Sequence, residues 1–171
     1  MVKKRLSADN WIEAGLGALA THGPASLRAE ALARELGTTK GSFYWHFKDL
    51  PGFLTQLAEA WKREAATSLV GALEDSGPVA DRLKKIAAGG PAEAAMRAWA
   101  SENDTARSHV DEIDKLRLEA TSALLRDVGV SNRDLAHALY AAGVGLTSLP
   151  RDGIDSDKVL STLIDLVLAL R

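Results

Sequence analysis

The chain has 171 residues, 46% hydrophobic and 26% charged, with a formal net charge of −2 at pH 7; this is the make-up of a folded globular protein, neither disordered nor membrane-spanning. The absence of cysteine excludes disulfides, thiolate zinc sites, thiol catalysis and a cysteine-based redox sensor. Met1-Val2-Lys3-Lys4-Arg5 is basic, but Ser7-Ala8-Asp9-Asn10 stands where a signal peptide needs its apolar stretch, and no apolar run is long enough to span a bilayer; a cytoplasmic protein without membrane attachment is expected.

Apolar residues recur at helical spacing along almost the whole chain and strict alternation is rare, which predicts an all-α protein. Ser7 is a good N-cap for a first helix carrying Trp11, Ile12, Leu16 and Leu19, which His22-Gly23-Pro24 ends. A second helix is expected from about Leu27 to Leu36. Gly37 then stands where a helix end needs positive φ, and Thr39 caps a short third helix ending near Phe47. Asp49 caps a long fourth helix that tolerates Pro51 in its first turn and aligns Leu54, Leu57, Trp61, Ala65 and Leu69. Ser76-Gly77-Pro78 and Gly89-Gly90-Pro91 bracket a short helix. Helical segments are expected near 91–103, 105–128, 132–148 and 155–171, the last two separated by Leu149-Pro150-Arg151-Asp152-Gly153.

The helix, turn and helix between Ser26 and Phe47 hold the most informative pattern. Leu32 and Leu36 share one face of the second helix, and Phe43 and Phe47, four apart, share one face of the third. These four can pack together, which leaves Lys40, Ser42, Tyr44, Trp45 and His46 pointing away from them. Aromatic residues usually fill a core, but here the two phenylalanines already supply the inward face and so short a helix cannot bury every side. DNA gives the outward set a use: Lys40 and the Tyr44 hydroxyl for phosphate, Ser42 and His46 for hydrogen bonds to base edges or backbone. The charge distribution agrees in sign, since residues 1–50 hold seven Lys/Arg against five Asp/Glu while the remainder is net acidic.

The run Gly37-Thr38-Thr39-Lys40-Gly41-Ser42-Phe43-Tyr44-Trp45-His46-Phe47-Lys48-Asp49, preceded by Leu32-Ala33-Arg34-Glu35-Leu36, resembles the recognition-helix signature of TetR-family regulators. The resemblance implies that Thr39, Lys40, Gly41, Ser42, Tyr44, Trp45 and His46 serve the major groove and flanking phosphates, with Lys48 adding a phosphate contact. The sequence departs from the family pattern twice. Arg28 stands where the family has Thr or Ser, so Arg28 is expected on phosphate with Ser26 taking over the cap. Leu50 stands where the family has a cation.

The remaining sequence is read more coarsely. In the last helix Leu160, Leu163, Ile164 and Val167, with Val159, Leu166, Leu168 and Leu170, cover more than one face; packing against a second copy through the last two helices would bury them. Leu139, Gly143 and Leu146 are assigned to the same interface, the glycine allowing close helix approach. Trp61, Met96, Trp99, Ile113, Leu116 and Tyr140 are candidates to line an effector pocket, although packed core satisfies their spacing equally. His109 and Glu112, three apart on a helix, are the only pair with metal-ligand spacing and read as a solvated face. No catalytic motif, metal site or cofactor site is assigned, and the chain is not expected to be an enzyme.

The expected architecture is therefore a helix-turn-helix DNA-binding domain at 1–49, followed by a helical effector-binding and dimerisation domain at 50–171. The function implied is that of a homodimeric transcriptional regulator of double-stranded operator DNA, a repressor released by an unidentified small-molecule effector. The alternative is a DNA-anchored protein-interaction module with no such effector.

Overall fold

A computed structural model describes residues 6–149 and 153–170. Pro150, Arg151 and Asp152 of the linker, residues 1–5 and Arg171 lie outside the described residues. Within them the chain is all-helical, as the periodicity requires: α1 (Ala8–His22), a 3-10 turn (Pro24–Ser26), α2 (Ala29–Glu35), α3 (Lys40–His46), α4 (Leu50–Glu74), α5 (Val79–Ala88), α6 (Glu93–Ala100), α7 (Asp104–Asp127), α8 (Arg133–Ser148) and α9 (Ser156–Leu168). No described helix is long and apolar enough to cross a membrane.

The chain divides into two compact units, residues 1–63 with 91–110, and residues 64–90 with 111–171. This differs from a boundary at residue 50. The start of α4, and α6 with the segment leading into α7, share a unit with α1 to α3.

In the first unit Ser7 caps α1 as expected, and Asn10 completes the box: its side chain accepts from Ser7 N at 3.0 Å while Ser7 Oγ accepts from Asn10 N at 3.3 Å. Trp11, Leu16 and Leu19 are buried along α1. Gly15 lies so close to α4 that a Cβ there would meet Leu57 Cδ1 at 2.6 Å and Phe53 Cζ at 2.8 Å. Asp49 caps α4 by accepting from Gly52 N at 2.8 Å, which leaves Pro51 in the first turn, where its missing N–H costs nothing. Farther along the chain, Arg107 closes the end of α6 with bonds from Nε to Ala100 O at 3.0 Å and from a terminal guanidinium nitrogen to Ser101 O at 3.1 Å. Met96 and Trp99 of α6 are buried here, as is Glu93, whose carboxylate accepts from Arg97 at 2.7 Å.

In the second unit α5, α8 and α9 pack on one another around Leu83, Ile86, Leu139, Leu160, Ile164 and Val167, with Leu124, Leu125 and Val130 completing the core. Gly143 explains how α8 approaches α5 so closely, because a Cβ at that position would sit 2.5 Å from Ala87 O. Arg82 donates to Ala72 O at 3.2 Å and Leu73 O at 2.7 Å, satisfying the carbonyls left free at the end of α4. Asn132 and Asp155 cap α8 and α9, accepting from Asp134 N at 2.9 Å and Lys158 N at 3.1 Å.

Candidate nucleic-acid interface

The turn between α2 and α3 depends on Gly37, which takes φ of 62°, a conformation that costs a residue with a Cβ roughly 1–2 kcal/mol and glycine almost nothing. Thr38 N then donates back to Ala33 O at 2.8 Å, ending α2. Thr39 opens α3 by accepting from Ser42 N at 3.4 Å. α3 is thereby set beside α2 with one face committed to the interior. Phe43 is fully buried, its ring 5.3 Å from Trp11, 5.1 Å from Phe47 and 5.2 Å from Phe53. The pairs with Trp11 and Phe53 are edge-on and that with Phe47 is tilted; such pairs contribute about 0.5–1.5 kcal/mol each beyond their area. Phe53 is the member that helical spacing alone does not reveal, since it belongs to the next helix.

With that face filled, the rest of α3 is outside. Trp45 is 85% exposed and Tyr44 49% exposed; Lys40, Gly41 and Lys48 are exposed, and Ser42 and His46 half-buried. Leaving a large apolar ring in water forgoes roughly the 1.5–3 kcal/mol that its burial would yield. Two adjacent aromatic rings with polar tips thus stand at the surface, Tyr44 keeping an edge contact with Phe43 at 5.3 Å and Trp45 almost wholly in solvent.

At the start of α2 the expected cap is absent. Ser26 Oγ donates to Gly23 O at 2.6 Å inside the 3-10 turn, so its hydroxyl is occupied two residues too early. Arg28 holds the N-cap position with extended backbone and no side-chain cap bond, and is exposed. Glu30, in the first turn of α2, supplies a carboxylate there instead. Its Oε1 lies 2.5 Å from Lys40 Nζ. This hydrogen bond first, and the attraction of charges second, hold the Glu30 carboxyl below its ordinary range and the Lys40 ammonium above its own. Sequence spacing does not show this pair, because ten residues and a turn separate its members.

The candidate pocket residues fall into both units: Trp61, Met96 and Trp99 are buried in the first, Ile113 and Tyr140 in the second. Leu116 departs from the expectation, being 40% exposed on α7. Tyr140 is tied into a polar group that the sequence reading missed. Its hydroxyl donates to Asp114 Oδ1 at 2.7 Å, and burial, then that bond and the Asp114 charge, push the phenol up to about 12 against the opposing effect of Arg117. Arg117 and Thr121 are buried on the same helix. A signal for Arg117 was present, since it continues the 3.6-residue stripe of Ile113, Ala120 and Leu124. His109, read as part of a solvated face, is half-buried with its Nε2 shielded from solvent.

The interface residues also divide. Leu139, Leu160, Ile164 and Val167 are buried in the chain's own second unit, and Gly143 is pressed against Ala87. Within the chain, packing of α5, α8 and α9 already buries these five residues. Leu146 and Leu163 are half-buried. The stripe left outside is Val159, Leu166 and Leu170, 46%, 62% and 64% exposed, with Leu163 between them and Leu149, just past the end of α8, at 53%.

An all-helical chain with an N-terminal helix-turn-helix and outward aromatic residues on its second helix defines a class, that of helical transcriptional regulators. The family model for bacterial regulatory proteins of the tetR family matches residues 12–49, so the helix-turn-helix segment is similar to that family's. Solved structures share the fold over nearly the whole chain. A tetR-family transcriptional regulator from Streptomyces coelicolor is 15% identical with a TM-score of 0.71, covering 95% of this chain and 79% of its own. A protein from Saccharomonospora viridis, solved in complex with choline, is 18% identical with a TM-score of 0.75, covering 94% of each chain. SmeT, the repressor of the multidrug efflux pump SmeDEF of Stenotrophomonas maltophilia, is 18% identical with a TM-score of 0.57, covering 97% of this chain and 90% of its own. No curated protein sequence matches the chain.

Proposed function

We propose that the protein is a homodimeric DNA-binding repressor whose α3 enters the major groove and whose helical remainder binds a small-molecule effector that releases it from operator DNA. The observation carrying this reading is the exposure of Trp45 and Tyr44 on a helix whose inward face Phe43 and Phe47 already fill, within the segment that matches the tetR family. Around these rings Thr39, Lys40, Gly41, Ser42 and His46 supply the polar contacts of α3, with Arg28 and Lys48 flanking on phosphate. The exposed stripe of Val159, Leu163, Leu166 and Leu170 supports self-association, because a two-fold dimer is what a pair of recognition helices needs to meet successive grooves.

Release by an effector requires that the ligand bind the DNA-free conformation better than the DNA-bound one, since equal affinity shifts nothing. Buried Ile113 and Tyr140 of the second unit are the residues expected to discriminate the two states, and a small organic molecule is the ligand class, as in the choline complex of the Saccharomonospora viridis relative. The reading is tested by sequencing genomic fragments retained by the dimer and repeating the retention with small-molecule pools. Enrichment of a near-palindromic site that one compound abolishes is expected. Retention of all fragments alike, or of none, would remove the regulator.

A further inference from the structure

The contact between Glu30 and Lys40 alters what Lys40 can do. On sequence alone this lysine is a free cation for phosphate. In the structure its Nζ is 2.5 Å from Glu30 Oε1, and both side chains remain well exposed, 50% for Lys40 and 64% for Glu30. The two groups bridge α2 and α3 at the N-terminal end of α3, one turn from Tyr44 on the helix that the proposed function places in the groove. A phosphate offers only acceptor oxygens and a negative charge, so it attracts the ammonium and repels the carboxylate beside it. A base edge is different. In the major groove a G·C pair presents the guanine N7 and O6 acceptors alongside the cytosine N4 amino donor, while the ion pair presents a donor alongside an acceptor.

Resting on the DNA-binding reading of α3, we infer that Glu30 is a specificity-determining residue: paired with Lys40 it forms a donor–acceptor couple that reads one G·C base pair and withholds the lysine from phosphates of any sequence. The lysine then donates to guanine, the glutamate accepts from cytosine, and neither charge is left unpaired against the groove. On DNA without G·C at that position the carboxylate finds no donor except Lys40, so the couple stays closed and contributes nothing to counterion release. The selectivity comes from two sources, a gain on the correct pair and a penalty on the backbone.

The experiment compares wild type with Glu30→Gln, Lys40→Met and the double variant, by selection from a random-sequence duplex library and by titration of mixed-sequence duplex DNA over a salt series. Glutamine retains the side-chain length and an acceptor but carries no negative charge, so it holds the ammonium far more weakly. Glu30→Gln is expected to bind mixed-sequence DNA more tightly, with the log–log salt slope steeper by about one as one cation is freed for phosphate, and to lose a preference for G·C of roughly tenfold at one position of each half-site. In the Lys40→Met background the same change should leave the slope unaltered. A Glu30→Gln protein with wild-type slope and wild-type base preference at every position overturns the inference, as does an equal steepening when Lys40 is absent. Wild type that enriches no duplex at all would instead overturn the DNA-binding reading on which this one rests.

Discussion

Tyr44, Phe43 and Phe47 lie within four positions of one another, yet they belong to different energetics. Phe47 is 2% exposed and in ring contact with Phe43 and Phe53. Its truncation to Ala should destabilise the protein by roughly 3–5 kcal/mol, with DNA binding falling only as far as folding does; thermal melting and binding measured on one preparation check this. Tyr44→Ala and Trp45→Ala should leave melting within about 0.5 kcal/mol of wild type and weaken operator binding, and wild-type affinity in both would show that α3 does not face DNA. This partition was legible from the spacing of Phe43 and Phe47 alone. The occupancy of individual polar groups was not: Ser26 could be read as a cap because hydroxyls cap helices, but the tight 3-10 turn turns its hydroxyl back to Gly23. Glu30 was overlooked because an exposed acid on a helix is ordinary until a neighbouring helix brings a lysine to it.

At the scale of the element, helix existence followed from caps and breakers, with Ser7, Thr39 and Asp49 accepting the expected backbone bonds; Asn132 and Asp155 stand where helix starts were expected, and the structure adds that they cap them. Which face of a helix is free did not follow. α9 is apolar on several sides, and the choice among Leu160, Leu163, Ile164, Leu166 and Val167 was settled by α5 and α8, whose positions no periodicity in α9 encodes. Gly143 shows the same thing, since close approach was anticipated but the partner is α5 of the same chain. Gly143→Ala should therefore cost about 1–3 kcal/mol through overpacking against Ala87 O. Gly71→Ala, in an exposed turn of α4 with nothing within 4 Å of the added Cβ, should stabilise by about 0.5–1 kcal/mol. Denaturant midpoints of the two variants moving in the same direction would contradict this packing.

For the whole molecule the decisive contrast is between Leu166 and Val167, consecutive residues that are 62% and 5% exposed. Leu166→Glu should leave each chain folded, abolish self-association and with it operator binding, because half-sites about 34–36 Å apart require two recognition helices held at fixed separation. Val167→Glu should unfold the second unit instead, since it buries an unpaired charge. Light scattering, circular dichroism and gel shift on both variants separate the outcomes, and a Leu166→Glu protein that stays dimeric would take α9 out of the interface. The unit holding the helix-turn-helix also has a history in time. It draws residues 91–110 from the middle of the chain, so buried Met96 and Trp99 reach it only after α4 and α5 have been synthesised. On a ribosome the three N-terminal helices wait, incompletely packed, until some 110 residues have emerged. A nascent chain arrested before α6 should be readily cut by protease within α1 to α3, and one arrested well beyond residue 110 should resist. On that expectation the segment proposed to meet DNA is translated first and matures late, so newly made chains would pass through an interval before they could compete for operator sites.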